Sequence, residues 1–149
     1  MANLQTLNLP VNQLTGRIPT SLGRLVNLQQ LSLGNNQLSG PIPTSIGNLG
    51  NLQYFVLTGN QLTGPIPASV GNLENLNYLR LDWNQLTGLV PLKVAFRGGR
   101  IQGSLGQCSL FGNSGLLIPD QPKNRAADLD ADGEICHLPF TAIATANPQ

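Results

Sequence analysis

Residues 27–74 read NLQQLSLGNNQLSGPIPTSIGNLG and then NLQYFVLTGNQLTGPIPASVGNLE, two versions of one 24-residue pattern. Residues 3–26 (NLQTLNLPVNQLTGRIPTSLGRLV) and 75–98 (NLNYLRLDWNQLTGLVPLKVAFRG) extend it in both directions, giving four copies. A period of this length, kept over consecutive copies, marks a solenoid of stacked units. Residues 1–98 therefore read as four 24-residue repeats, and residues 99–149 as a C-terminal cap with an Asp-rich tail.

Each copy opens with an L-x-x-L-x-L core, Leu4, Leu7 and Leu9 in the first, which puts apolar side chains on one face of a short strand. So short a strand cannot bury that face alone. It must stack on the next copy, which predicts a parallel sheet over a continuous leucine core. Asn12, Asn36, Asn60 and Asn84 recur after the strand, where a buried amide can bond to the backbone of neighbouring copies as a ladder. Gly16, Gly40, Gly64 and Gly88 allow a tight bend; Pro19, Pro43, Pro67 and Pro91 favour extended or turn backbone on the outer side. Leu22, Ile46, Val70 and Val94 supply that outer segment's apolar contact.

These residues resemble the plant-specific leucine-rich repeat, whose L-x-G-x-I-P element stands here as LTGRIP, LSGPIP and LTGPIP. The family includes receptor-like kinase ectodomains, polygalacturonase-inhibiting proteins and a related antifreeze protein. The resemblance covers residues 3 to about 92. It implies an α/β solenoid, curved and right-handed, with a parallel sheet on the concave face, turns and short 3-10 helices outside and an irregular C-terminal cap. It also implies a secreted protein that recognises peptides, proteins or other ligands on the concave side. The chain departs from the family in lacking an N-terminal cysteine-pair cap, a kinase and a membrane segment.

Composition narrows the function. Only 10% of the residues are charged and the formal net charge is +1, with no basic run interleaved with aromatics, so nucleic acid is not an expected partner. No stretch approaches the roughly 20 apolar residues of a membrane span, and MANLQTLNLP has neither the charged nor the apolar part of a signal peptide. Asn3 is already in register, which reads as a trimmed or partial chain. It leaves Leu4, Leu7 and Leu9 facing water on one side, and so predicts end-to-end self-association.

The solvent-facing strand columns are Thr6, Gln30, Tyr54, Tyr78; Asn8, Ser32, Val56, Arg80; and Pro10, Gly34, Thr58, Asp82. Small polar residues dominate the first two copies, whereas Tyr54, Val56, Tyr78, Arg80 and Asp82, with Trp83 beside them, mark the last two. Aromatics and Arg are frequent interface anchors because they bury large areas with few rotatable bonds. These six form the candidate ligand patch; the alternative is that Tyr78, Arg80 and Trp83 only cover the last repeat or meet the tail.

Periodicity fails after Gly88. SLFGNSGLL resembles the cap of plant-type repeat proteins, which often reads Gly-Asn-Pro-Gly-Leu-Cys, with Ser114 and Leu117 here replacing the proline and the cysteine. Further on, Asp128, Asp130 and Asp132 precede Gly133, the first half of a calcium loop in which alternate carboxylates converge on one ion and the Glu134 carbonyl adds a ligand. Pro139 at the twelfth position excludes a complete EF-hand. No cofactor is required, with Ca2+ a candidate of weak affinity, about 0.1 to 1 mM. An Asp-rich turn without metal is the alternative. DLDADGEIC also resembles the ending of small bacterial extracellular calcium-binding modules of the excalibur type, over about ten residues. That resemblance places a second cysteine upstream and so implies a Cys108–Cys136 bridge, worth about 3 to 4 kcal/mol by loop closure.

His137 is the single histidine, so no Ser-His-Asp triad or His-rich metal spacing can be assembled. A Cys108–His137 nucleophile is conceivable, but an even cysteine count fits a disulfide better. Gly98 and Gly99 precede Arg100 without a phosphate-loop pattern. The sequence thus predicts a non-catalytic recognition module, extracellular or at the cell surface, that binds a protein or peptide on its concave face. The competing expectation is a structural or antifreeze-like surface protein, or a calcium-stabilised extracellular protein with no single hot spot.

Overall fold

A computed structural model describes residues 3–91, 107–110 and 112–117. Each repeat runs through a short strand, a turn and a second short strand, followed in the first three by a 3-10 turn. The first strands are β1 (Thr6–Asn8), β3 (Gln30–Ser32), β5 (Tyr54–Val56), β7 (Tyr78–Arg80) and β9 (Gln107–Ser109); the second are β2 (Thr15–Gly16), β4 (Gln37–Gly40), β6 (Gln61–Gly64), β8 (Gln85–Leu89) and β10 (Gly115–Leu117). β1-β3-β5-β7-β9 form one parallel sheet, and β2-β4-β6-β8-β10 a second. The sequence predicts the first sheet; the second is an addition to it. It arises because the Q-L-[ST]-G segment after the ladder asparagine also alternates, burying Leu38, Leu62 and Leu86. The segment closes on glycines held at φ between 75° and 81° (Gly16, Gly40, Gly64, Gly88), where a side chain would be strained.

On the outer side, 3-10 turns span Thr20–Arg24, Thr44–Asn48 and Ala68–Asn72, each entered from a proline in extended backbone (Pro19, Pro43, Pro67). Among the described residues there is no α-helix. Successive 3-10 turns touch: a Cβ on Gly47 would lie 2.5 Å from Ser69 Cβ. They are also hydrogen-bonded, since Ser45 Oγ donates to Thr20 O at 2.8 Å and Ser69 Oγ to Thr44 O at 2.7 Å.

Between the sheets and the turns lies a single core, with Leu28, Leu31, Leu52, Phe55, Leu57 and Leu81 at 0% exposure. The asparagine ladder runs beside it. Asn60 Nδ2 donates to Leu33 O (3.1 Å) in the preceding repeat and Leu57 O (3.0 Å) in its own, while its Oδ1 accepts from Leu38 N–H at 3.0 Å. Asn36 and Asn84 repeat this geometry. Each amide therefore satisfies backbone groups of two repeats that the bend leaves without strand partners.

Strands Gln107–Ser109 and Gly115–Leu117 continue the two sheets. Gln107 aligns with Tyr78 and Tyr78 with Tyr54, steps of 107 − 78 = 29 and 78 − 54 = 24, so five residues are inserted before a further partial repeat. Asn113 serves as its ladder residue, accepting from Leu86 N–H at 3.0 Å and donating to Leu81 O at 2.9 Å. Leu110 and Leu116 join the core. At the other end Leu4, Leu9 and Val11 are 36%, 41% and 76% exposed.

Candidate functional site

β5 and β7 pair in register, Tyr54 opposite Tyr78 and Val56 opposite Arg80, while Phe55 and Leu79 between them enter the core. Strand alternation thus brings four of the six predicted ligand residues onto one outward face. The tyrosine rings lie 5.8 Å apart between centroids, tilted by 38°, within the separation that interacting aromatic pairs favour. Tyr54 is 44% exposed; Val56, Tyr78 and Arg80 are half-buried.

Asp82 corrects the sequence expectation. Placed with the solvent-facing columns, it is only 1% exposed. Its carboxylate is clamped from one side by Arg80, Nε donating to Oδ1 at 2.7 Å and Nη2 to Oδ2 at 3.0 Å, and by Thr58 Oγ1 donating to Oδ1 at 3.0 Å. A carboxylate this far from water needs such donors, and the fork geometry of Arg supplies two at once. Arg80 Nη1 also donates to Tyr78 Oη at 3.3 Å, so Tyr78, Arg80, Asp82 and Thr58 form one chain of contacts. Thr58 is the participant missing from the predicted patch. Its signal is the fixed 24-residue offset that sets it beside Asp82.

Burial alone would push the Asp82 carboxyl up; the hydrogen bonds from Arg80 and Thr58 outweigh it and hold the carboxyl below its usual 3.8. Correspondingly, the Asp82 hydrogen bond holds the Arg80 guanidinium above its already high value, against the opposing effect of desolvation. The pair is ionised at any physiological pH. No buried side-chain nitrogen or oxygen among the described residues lacks a hydrogen-bond partner.

Trp83 stands just before the ladder residue, 59% exposed. Its φ is 54°, in a column where Val11 and Asn35 are also at 54°, Gly59 at 67° and Gly112 at 75°. The bend into the ladder demands this left-handed backbone, which Gly and Asn accept far more readily than Trp or Val. The indole rests on the next partial repeat: a Cβ on Gly112 would come within 2.8 Å of Trp83 Cε3. Tyr54, Val56, Tyr78 and Arg80 are therefore continuous, Asp82 lies beneath them, and Trp83 stands at the turn beyond.

The proposed calcium ligands Asp128, Asp130, Asp132 and Glu134, and Cys136 of the proposed bridge, lie outside the described residues. Cys108 takes the register position of Leu79 in the first sheet. Among the described residues no group of His, Cys, Asp and Glu could hold a metal ion, and no helix is long and apolar enough to cross a membrane.

A family model described as leucine rich repeats (2 copies) matches residues 2–49, and one described as leucine rich repeat matches residues 51–73. The fold is that of a leucine-rich repeat solenoid. Among solved structures, this chain is 34% identical to the BIR2 ectodomain from Arabidopsis thaliana, with a TM-score of 0.66 over 75% of this chain and 56% of that one. It is 40% identical to a chain of the Arabidopsis receptor kinase HAESA in complex with the peptide hormone IDA and the co-receptor SERK1, with a TM-score of 0.65 over 78% of this chain and 18% of that one. A plant ice-binding protein is 33% identical, with a TM-score of 0.65 over 77% of this chain and 35% of its own. The chain thus spans little more than half of the BIR2 ectodomain and less of the other two. No match was found among curated proteins.

Proposed function

We propose that this leucine-rich repeat chain is a non-catalytic recognition module, extracellular or at the cell surface, that binds a protein or peptide through Tyr54, Val56, Tyr78, Arg80 and Trp83. The observation that carries the proposal is the tilted tyrosine pair, with Tyr54 nearly half exposed on a fully paired sheet. Held rigidly, such rings lose little entropy on binding and bury a large area. HAESA, which shares the repeat, was solved with a peptide hormone, and that supports the same class of ligand here. The test is affinity capture from extracellular fluid of the source, comparing the chain with a Tyr54→Ala, Tyr78→Ala, Trp83→Ala variant, with calcium present and chelated. A partner kept by the parent and lost by the variant is the expected result; equal capture by both would sink the proposal. Dependence on calcium would bring the Asp128–Asp132 loop into function, and independence would set it aside.

A second reading is an antifreeze-like surface protein, and one observation favours it: the second sheet exposes Gln37, Gln61, Gln85, Thr15, Thr63 and Thr87, with Thr15 paired to Gln37 and Thr63 to Gln85, all uncharged. Thermal hysteresis that survives the aromatic substitutions would select this reading. The exposed Leu4, Leu9 and Val11 support end-to-end association of copies, which sedimentation at rising concentration would detect.

A further inference from the structure

We infer that the open face of the first repeat pairs with the same face of a second copy, giving a closed two-fold dimer joined at β1; the inference deepens the end-to-end association proposed above and rests on it. Its first ground is that the two ends of the solenoid differ. Leu9 and Leu110 hold one column at opposite ends, since Cys108 aligns with Leu79, and Leu79 with Phe55, Leu31 and Leu7. Leu9 is 41% exposed and Leu110 0%. Leu4 is 36% exposed where Leu28 is at 0%, and Leu7, Leu14 and Leu25 are only partly buried. Burying this apolar cross-section is favourable, but Leu110 has no surface left to cover it with. A head-to-tail stack needs both ends open and grows without limit, whereas an open end that meets itself closes after two copies. Charge permits that meeting. Residues 3–16 contain no Asp, Glu, Lys or Arg, and Arg17 is turned to the second repeat, where a Cβ on Gly40 would lie 3.1 Å from its Cγ.

The second ground is the edge of the first sheet. Gln5 O accepts from Gln30 N–H at 3.0 Å, while Leu9 N–H and Val11 N–H donate to Ser32 O at 2.8 Å and Gly34 O at 3.0 Å. These odd-numbered residues spend their main-chain groups on the second repeat, and strand alternation turns those of Thr6 and Asn8 to the open edge. An edge of this kind is a template for another strand. About a two-fold axis at Leu7, Thr6 of each copy lies opposite Asn8 of the other, and each such antiparallel pair exchanges both of its N–H···O bonds. Pro10, the next residue facing that edge, has no N–H, and its carbonyl accepts from Asn12 Nδ2 at 2.9 Å. Main-chain pairing therefore ends at Asn8, a length that suits two short strands and gives a long foreign strand nothing further to hold.

The experiment is sedimentation equilibrium of the 149-residue chain at rising concentration, repeated with Leu9→Asp, together with oxidative cross-linking of the single variants Thr6→Cys and Asn8→Cys. A monomer–dimer equilibrium with nothing larger is expected. Leu9→Asp should weaken it at least about tenfold, because a carboxylate in that interface loses its hydration unpaired. Thr6 and Asn8 are exposed, so their cysteine variants keep the fold and test the geometry separately. Opposed Cα atoms in such a pair lie about 5.5 Å apart, within disulfide reach. A mixture of the two variants should therefore form covalent dimers in excess of either variant alone and of the parent. Species larger than a dimer that grow with concentration, an undiminished dimer in Leu9→Asp, or no excess of cross-linking in the mixture would each overturn the two-fold arrangement while leaving association of copies standing. A chain that stays monomeric throughout overturns both, so the two failures are told apart.

Discussion

The first and third repeats share nearly the same apolar pattern and live in different surroundings. Leu52 and Leu57 are at 0% exposure, while their counterparts Leu4 and Leu9 are at 36% and 41%. The Asn60 amide bonds to backbone groups of the preceding repeat and of its own, whereas Asn12 Nδ2 donates to Pro10 O at 2.9 Å, within its own exposed loop. The residues hardly differ. A solenoid repeat has only half a core of its own, and its neighbour supplies the other half.

The largest effect that would break this comparison is a truncation in the core. Leu57→Ala should cost about 3 to 4 kcal/mol, as cavity formation at a fully buried leucine does, and Leu9→Ala less than about 1 kcal/mol. Denaturant melts of the two variants measure this, and equal losses would show that the first repeat is covered in solution.

The ladder gives the next effect. Asn60→Ala strands the Leu38 N–H and the Leu33 and Leu57 carbonyls, for a loss of about 3 kcal/mol; Asn12→Ala should cost roughly 0.5 kcal/mol. Hydrogen exchange should rise at Leu38 N–H in the first variant, with no matching change at the first repeat in the second.

The smallest effect concerns the fourth repeat, which holds a buried carboxylate, Asp82, that the first does not. Because the native Asp82 carboxyl lies below its usual 3.8, the unfolded chain binds more protons around and below that pH. The stability it contributes is complete above that value and is lost as pH falls through the depressed native one. Asp82→Asn should lower stability at neutral pH by about 1 to 2 kcal/mol, the partly exposed Arg80 limiting the loss, and should flatten the acid decline. Urea midpoints at pH 6 and pH 3 decide it; a parallel decline in both proteins would show that the carboxylate is not responsible.

Much of this was legible in residues 27–74. The 24-residue period, the L-x-x-L-x-L alternation and the recurring Asn, Gly and Pro columns predict the first sheet, the ladder and the outer turns, because each is a local pattern stacked on itself. Local pattern did not disclose the second sheet, whose two-to-five-residue strands are too short to stand out. Nor did it disclose Asn113, which a five-residue insertion displaces from the period although C-x-L-x-G-N repeats the L-x-L-x-x-N spacing of Leu79 to Asn84. For the candidate site, alternation placed Tyr54, Val56, Tyr78 and Arg80 on the outward face. It could not tell that Asp82 is turned into a clamp.

The sequence by itself therefore determined the repeat, its period and which residues face the core, since a solenoid's nearest-neighbour contacts follow from its offset. Only the tertiary structure decided how the charges are spent. An arginine, a carboxylate and a hydroxyl from two repeats close on one another, and Trp83 is seated on Gly112 across an insertion. Those outcomes depend on side-chain reach and burial, which spacing along the chain does not carry.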